Sequence, residues 1–572
     1  MSTSRNIKGC VRTRRVPIFL AGVISAAVLT STSALGQSET EKTMISGVVI
    51  NAITRAPVPR ALVTTPDNRY ATLTDSSGQF EFSIEKENAG TSASPDELTR
   101  VSGSGQDRTW INARKPGFIV EGQNGALASP GKEATVALTP EALIVGKVTF
   151  STADTTSQVT VQLFSRQTQD GLPRWTVRNA TTTNSAGEFR FADLPPGQYR
   201  VATNESLDND PGAMLSRNQV YGFPPVYYPA ATDFATAGTI EVTAGQTFQA
   251  DLSLVRQPYY SVRIPVNGES GNGLSVIVSS QGRRGPGYSL GFNAGQRRIE
   301  GLLPNGNYVV DGISYGENAA AGTTTLRVAG GPAEGPALIL SPNSGIVLNV
   351  KEEFADHEWN GTASFSAHGR VFSLYGTRRY LSANLEPADD FAQGASSSLR
   401  PPLGPNDDSL VLTSVPPGRY WLRLNTGRGY VASATMGAID LLHQPFVVSA
   451  GSAASVDVTL RDEYSSVEGK VTGWNPDSVK SDDPDSQTAW IYFVPLPDGA
   501  GQFQQLGVSP NDDFSLQQIA PGSYRVLAFA HPKENLPYRD PQAMKMYDTK
   551  GQVIHLAAGQ KTNLQVPIIS EE

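Results

Sequence analysis

Thr183-Asn184-Ser185-Ala186-Gly187-Glu188-Phe189-Arg190-Phe191-Ala192-Asp193-Leu194-Pro195-Pro196-Gly197-Gln198-Tyr199-Arg200-Val201 reads as two short strands and the joints on either side of them. Polar turn residues precede an alternating Phe-x-Phe strand, and Pro-Pro-Gly then reverses the chain into a second strand that opens on tyrosine. Pro fixes φ and withholds an amide donor, while Gly permits the positive φ of a type II turn, so the phrase predicts a tight reversal with glycine in the left-handed region. The tyrosine two residues on is expected to point into a sandwich core, with its hydroxyl reaching a loop carbonyl.

The second half of this stretch recurs. Leu303-Pro304-Asn305-Gly306-Asn307-Tyr308, Val415-Pro416-Pro417-Gly418-Arg419-Tyr420 and Ile519-Ala520-Pro521-Gly522-Ser523-Tyr524 repeat it, with their glycines 109, 112 and 104 residues apart from one to the next. Each interval is the size of one small domain, so the chain is an array. Its 572 residues also exceed what one core can organise.

Every block shares further features. It opens on a Gly-x-Val type strand such as Ile45-Ser46-Gly47-Val48-Val49-Ile50, Leu143-Ile144-Val145-Gly146-Lys147-Val148 or Val467-Glu468-Gly469-Lys470-Val471. It closes on a strand after Pro130-Gly131, Ala244-Gly245, Ala329-Gly330, Ala450-Gly451 or Ala558-Gly559, and five closers imply five domains. The expected division is 1–36 signal peptide, then sandwiches over 44–140, 141–256, 257–341, 342–461 and 462–572. The first block is divergent, with Lys115-Pro116-Gly117-Phe118 in place of the Pro-Gly-Tyr phrase. Amphipathic helices are scarce, and the 55 Gly and 39 Pro are spread among short strands. The fold class expected is all-β.

The N-terminus reads as a targeting segment. Arg5, Lys8, Arg12, Arg14 and Arg15 precede an apolar run from Val16 to Leu29, and small residues end at Ala34-Leu35-Gly36. Cleavage is expected after Gly36. Pro17 and Ile18 stand where a twin-arginine signal wants Phe and Leu, so the Sec route fits better. Cys10 precedes the apolar run and would be removed, leaving no cysteine for disulfides, thiolate ligands or a nucleophile. The mature chain then holds 41 Lys plus Arg against 54 acids, a net charge of −13, which repels nucleic acid. No later stretch is long and apolar enough to span a bilayer. The expected location is extracytoplasmic: periplasmic, outer-membrane-associated or secreted.

The run from Thr183 to Val201, Thr-x-x-x-Gly-x-Phe-x-Phe-x-x-Leu-Pro-Pro-Gly-x-Tyr-x-Val, resembles the carboxypeptidase regulatory-like domain. The resemblance is strongest over residues 141–256 and weaker over most of the mature chain. It implies transthyretin-like (prealbumin-like) β-sandwiches, related to the Cna-B-like and starch-binding-domain-like superfamilies, and hence about five of them in tandem. Such domains serve as stalks, spacers, glycan-binding modules and appendages, so the resemblance speaks to fold more than to function.

A zinc carboxypeptidase would need a His-x-x-Glu pair and a distant third histidine. His531-Pro532-Lys533-Glu534 supplies the spacing, but it follows directly on a strand, and His555 is the one later histidine. His357, His368 and His443 are scattered, so no catalytic, metal or cofactor site is assigned. Asp407-Asp408, Asp482-Asp483 with Asp485, and Asp512-Asp513 could offer oxygen ligands to calcium, yet none has an EF-hand spacing. Lys470 and Asn563 occupy the first and last strands of the fifth block, where Cna-B-like sandwiches can carry an isopeptide crosslink.

Glycan recognition needs exposed aromatic rings beside polar groups. Tyr221-Gly222-Phe223-Pro224-Pro225-Val226-Tyr227-Tyr228-Pro229 places four rings in a Pro-rich loop, and Trp175 could join them. Trp175, Tyr221, Phe223, Tyr227 and Tyr228 are therefore the candidate ligand contacts. The alternative is that this loop folds over one end of its own sandwich. The resulting expectation is a non-catalytic binding or scaffold protein of the envelope, with a polysaccharide or an envelope protein as partner. A purely structural spacer is the second reading and a hydrolase the third.

Overall fold

The computed structural model describes residues 42–569 apart from 86–108, 121–124, 152–157, 209–218, 269–272, 281–282, 317, 356–360, 368–369, 391–396, 405–406, 450, 452–453, 474–487, 498–501, 510–512 and 534. The described chain is almost entirely β, and its helical segments Gly376–Arg379 and Ala543–Tyr547 are short 3-10 turns. The targeting segment, Asp482, Asp483, Asp485, Asp512, His357, His368 and Glu534 all lie outside the described residues.

Five main apolar clusters follow one another along the chain. They gather residues between Ile45 and Leu138, Ala142 and Leu254, Val262 and Leu340, Ile346 and Leu460, and Val467 and Val566. Each is the core of a two-sheet sandwich. In the first sheet the opening strand is central, antiparallel to the aromatic strand on one side and parallel to the closing strand on the other. In the second sandwich, Ala142–Phe150 lies between Glu188–Leu194 and the pair Thr247–Gln249 and Leu252–Leu254. In the fifth, Ser465–Thr472 lies between Phe514–Ile519 and Lys561–Pro567. The second sheet is built around the strand that starts with the Pro-Gly-Tyr phrase, such as Gly197–Thr203 or Gly522–Phe529.

The glycine of the opening strand is required by this arrangement. A Cβ at Gly47, Gly146 or Gly469 would lie 2.1, 2.1 or 2.0 Å from the carbonyl oxygen of Ala134, Ala250 or Leu564 in the closing strand. The same atom would meet the ring of Phe80, Phe189 or Phe514, at 2.7, 2.5 or 3.0 Å. Glycine therefore lets the closing strand and the aromatic strand approach the opening strand together.

The tyrosines behave as expected. Tyr199, Tyr308, Tyr420 and Tyr524 are buried, and each hydroxyl donates to the carbonyl four residues earlier, on Pro195, Pro304, Pro416 or Ala520, at 2.7, 2.9, 2.9 and 2.6 Å. The glycines do not. Of the four phrase glycines, Gly522 alone has positive φ (147°), and the left-handed residues in two of the turns are Asp193 (56°) and Ser414 (57°). At two of them the reason is close approach instead of turn geometry, since a Cβ at Gly306 would stand 3.0 Å from the Tyr308 ring and one at Gly418 3.1 Å from the Tyr420 ring. In the divergent first block Gly117 does take positive φ (90°), and Lys115 Nζ donates to Pro59 O at 2.7 Å.

The second and third sandwiches share a sheet. Strand Val220–Phe223, carried by the long connection after the Tyr199 strand, pairs with Gln257–Asn267, the opening strand of the third sandwich. A comparable connection in the fifth sandwich, after the Tyr524 strand, covers the outer face of its second sheet. There it makes a satellite core of Tyr492, Val494, Leu527, Phe529, Leu536, Met544 and Tyr547.

Candidate functional site

The aromatic loop of the second sandwich is largely built into the molecule. Phe223 is fully buried in the second core and edges against Phe150 at 4.9 Å. Tyr227 is 3% exposed, lies in a satellite core with Phe164 and Phe234, and donates its hydroxyl to Pro286 O of the third sandwich at 2.5 Å. Its phenol is held far above the usual tyrosine range by desolvation. Tyr221, Tyr228 and Trp175 are half-buried. Arg256 lies 4.2 Å from the centroid of the Tyr221 ring, Phe248 edges against Tyr228 at 5.8 Å, and Trp175 sits under Arg200 at 4.5 Å with Phe234 at 5.7 Å. The segment thus ties the second sandwich to the third.

The remaining motifs disperse. His555 pairs across from Ser523, whose Oγ is 3.0 Å from its Nδ1, whereas His531 follows the far end of that same strand. The six steps of strand from Ser523 to Phe529, at about 3.3 Å each, already span roughly 20 Å, and His531 lies two residues beyond. His443 Nδ1 contacts Asp440 at 2.7 Å. No group of three or more metal-ligating side chains occurs among the described residues. Asp407 is enclosed by Arg400 at 2.6 Å, Leu403 N and Ser409, partners that hold its carboxyl far below the usual range, Arg400 foremost. Lys470 pairs with Asp513 at 3.0 Å and is exposed, and Asn563 sits opposite Glu468.

The densest polar constellation is one that no local sequence signal announces. The hairpin of Thr160–Gln169 and Leu172–Thr182 turns through Asp170 (φ 46°) and Gly171 (φ 75°), a two-residue turn with both φ values positive. This tip reaches two sandwiches far along the chain. Asp170 Oδ2 lies 2.7 Å from Arg423 Nε in the fourth and 3.3 Å from Arg539 Nη2 in the fifth. Asp170 Oδ1 accepts the hydroxyl proton of Tyr538, and Gly171 O accepts from Arg539 N at 3.0 Å. Desolvation, with the Asp170 contact second, keeps the Tyr538 phenol protonated well beyond its ordinary range.

The same hairpin continues the contact along its second strand. Arg174 pairs with Glu386 at 3.3 Å and donates to Pro387 O, Glu386 also holds Arg423 at 2.8 Å, and Trp175 N donates to Asp390 Oδ1 at 3.3 Å. Arg423 and Arg174 are 12% and 13% exposed and Asp170 39%, so two largely desolvated guanidinium groups alternate with more exposed acids across three sandwiches. Its chemistry is adhesive: Asp170 and Glu386 each bind two guanidinium groups, Asp390 accepts from a backbone amide, and the groups hold one another in place. Beside it, Phe503 and Tyr538 stack in parallel, 3.9 Å between centroids and 7° between planes, and a cavity of about 390 Å³ opens between the tip and the fifth sandwich.

No family model matches this chain, and no curated protein matches it. Solved structures do. The TIE protein of Bacillus anthracis is 9% identical, with 73% of this chain and 67% of that one covered and a TM-score of 0.14. A streptococcal ancillary pilin is 10% identical over 52% of this chain and 99% of its own, with a TM-score of 0.17. Two B repeat units of the collagen-binding protein of Staphylococcus aureus are 10% identical over 75% and 99%, with a TM-score of 0.14. At these scores the likenesses carry no argument about function, and the assignment of tandem β-sandwiches stands on this chain's own sheets and cores.

Proposed function

We propose that this chain is a non-catalytic, extracytoplasmic binding and scaffold protein whose sandwiches are fastened into a folded-back array, exported by the N-terminal segment and recognising a carbohydrate or protein partner at the cell envelope. The observation that carries this reading is the three-sandwich junction. An extended spacer needs contacts between consecutive domains alone, whereas Asp170 joins the second sandwich to the fourth and fifth. A brace of that kind presents surfaces from several domains in fixed relation, as a binding scaffold requires. The dispersal of His531 and His555 favours this reading over a hydrolase.

Of the five rings expected to contact a ligand, Trp175, Tyr221 and Tyr228 retain partly exposed surface. They are the ones that could still touch a glycan at that end of the second sandwich. Substituting Tyr227 would test folding and not binding, because its ring is core. The test is small-angle scattering of residues 37–572 together with affinity electrophoresis through polysaccharide gels. A radius of gyration typical of five domains in line would refute the folded-back scaffold. Unretarded migration in every polysaccharide would leave a protein as the partner class.

A further inference from the structure

We infer that the three-sandwich junction masks a self-association edge: when it opens, strand Leu172–Thr182 pairs antiparallel with the same strand of a second copy of this chain. This goes beyond the binding role proposed above. Among the described residues Leu172–Thr182 is the outermost strand of its sheet, bonded on one side to Thr160–Gln169. Such an edge templates another strand unless its outward N–H and C=O groups are blunted. Leu172 pairs with Gln169 across the two-residue turn, so the main-chain groups of Leu172, Arg174 and Thr176 face the ladder. Those of Pro173, Trp175 and Val177 face outward, as the bond from Trp175 N to Asp390 shows.

Local devices blunt the edge on either side of Trp175. Pro173 offers no donor. A bulge breaks the register between Val177 and Asn179, and Asn179 Oδ1 takes the amide of Ala180 at 2.8 Å. The cover of Trp175 comes from the fourth sandwich instead, where Asp390 Oδ1 accepts its amide at 3.3 Å and Glu386 and Pro387 O hold Arg174 beside it. Glu386 and Pro387 end strand Leu381–Pro387, beyond the reach of its short neighbour Ser397–Ser398, which pairs with Asn384 and Leu385. Two sheet edges thus lie together, joined by side chains, with no ladder between them among the described residues.

The uncovered edge complements itself. With Trp175 on a two-fold axis, the two Trp175 residues exchange both main-chain bonds, and Val177 N of each copy donates to Pro173 O of the other. Arg174 then faces Thr176, so no like charges stand directly opposite within Pro173–Val177, and the two indoles meet as a cross-strand aromatic pair. Closure and pairing use the same edge, so dimers draw on the open population.

The experiment is sedimentation velocity of residues 37–572 over a roughly hundredfold range of concentration. The wild type should stay monomeric. Asp170→Asn, which removes the carboxylate shared by Arg423 and Arg539, should dimerise about fivefold more tightly or better. Asp170→Asn/Trp175→Pro should return to monomer, since the outward Trp175 amide lies outside the strand's own ladder. Amide exchange gives a reading independent of that proline. The Trp175 and Val177 amides of dilute Asp170→Asn should exchange faster than in the wild type and slow again as the dimer forms. A dimer that survives Trp175→Pro, or that forms without slowing exchange at Trp175 and Val177, would overturn the assignment. So would Asp170→Asn protein that exchanges fast at Trp175 yet stays monomeric throughout.

Discussion

Replacing Asp170 by Asn isolates the charge that joins three sandwiches. Asn tolerates the left-handed conformation that Asp170 adopts (φ 46°), so the turn with Gly171 survives. The amide oxygen can still accept from Tyr538, but Arg423 is left to Glu386 alone and Arg539 loses its carboxylate. A unit pair at about 4 Å contributes roughly 4 kcal/mol at an effective dielectric of 20. Asp170 is 39% exposed, and solvent screening reduces this toward the range of partly buried pairs, about 1–2 kcal/mol. That corresponds to a fall of about 5- to 30-fold in the ratio of closed to open array.

Spin labels on cysteines introduced at Gln169 and Asn535, both exposed and flanking the junction, report the ratio directly. The chain's one cysteine is Cys10, so the labels are specific in residues 37–572. The wild type should give one short distance, and Asp170→Asn should add a broad long component that grows with salt as the remaining pairs are screened. Identical distance distributions for the two proteins would refute the claim that Asp170 fastens the array.

Four other outcomes follow from the same structure. Gly171→Ala should open the junction more than Asp170→Asn, because its Cβ would stand 2.6 Å from the Tyr538 ring at φ 75° and that ring is backed by Phe503; the same label pair reads it. Gly146→Ala should destabilise the second sandwich by about 2–3 kcal/mol, as the added Cβ falls 2.1 Å from Ala250 O, measurable by urea unfolding. Tyr308→Phe should cost about 1–2 kcal/mol by leaving the Pro304 carbonyl buried without its donor. Glu205, at the boundary of the second and third sandwiches, accepts from Ser289 N and Oγ, and desolvation pushes its carboxyl up to about 7. A carboxyl raised from 4.5 in this way favours the folded state when protonated, so stability should decline by about 3 kcal/mol as pH rises from below 4.5 through 7. Tyr259, Tyr288 and Tyr308 are the other ionisable groups beside it. Denaturant unfolding of Glu205→Gln against wild type between pH 5 and 8 isolates its share, and parallel pH profiles would show that it has none.

The array and its sandwiches could be read from the sequence because their causes are local and repeated. Pro-Gly-x-Tyr specifies a ring whose hydroxyl returns four residues, and Gly-x-Val marks where two strands crowd a third. The conformation of the phrase glycine was misread from the same letters, since what excludes a side chain at Gly306 and Gly418 is the tyrosine ring and not the turn. The aromatic loop looked like a ligand surface because composition registers rings but not what covers them. Arg256, Phe248 and the third sandwich supply that cover. The junction was illegible for a stronger reason. Asp170-Gly171 carries a hairpin signal, but nothing near it in sequence identifies Arg423 or Tyr538, which arrive from 253 and 368 residues away.

The central claim is that the sandwiches fold back on themselves, and the scattering radius of residues 37–572 tests it most directly. Five domains of about 13 Å each placed in line would give a radius of gyration of roughly 50 Å, and a single compact body of this length about 24 Å. The junction at Asp170 requires a value well below the in-line figure, rising toward it in Asp170→Asn. A wild-type radius near 50 Å, unchanged by that substitution, would contradict the account.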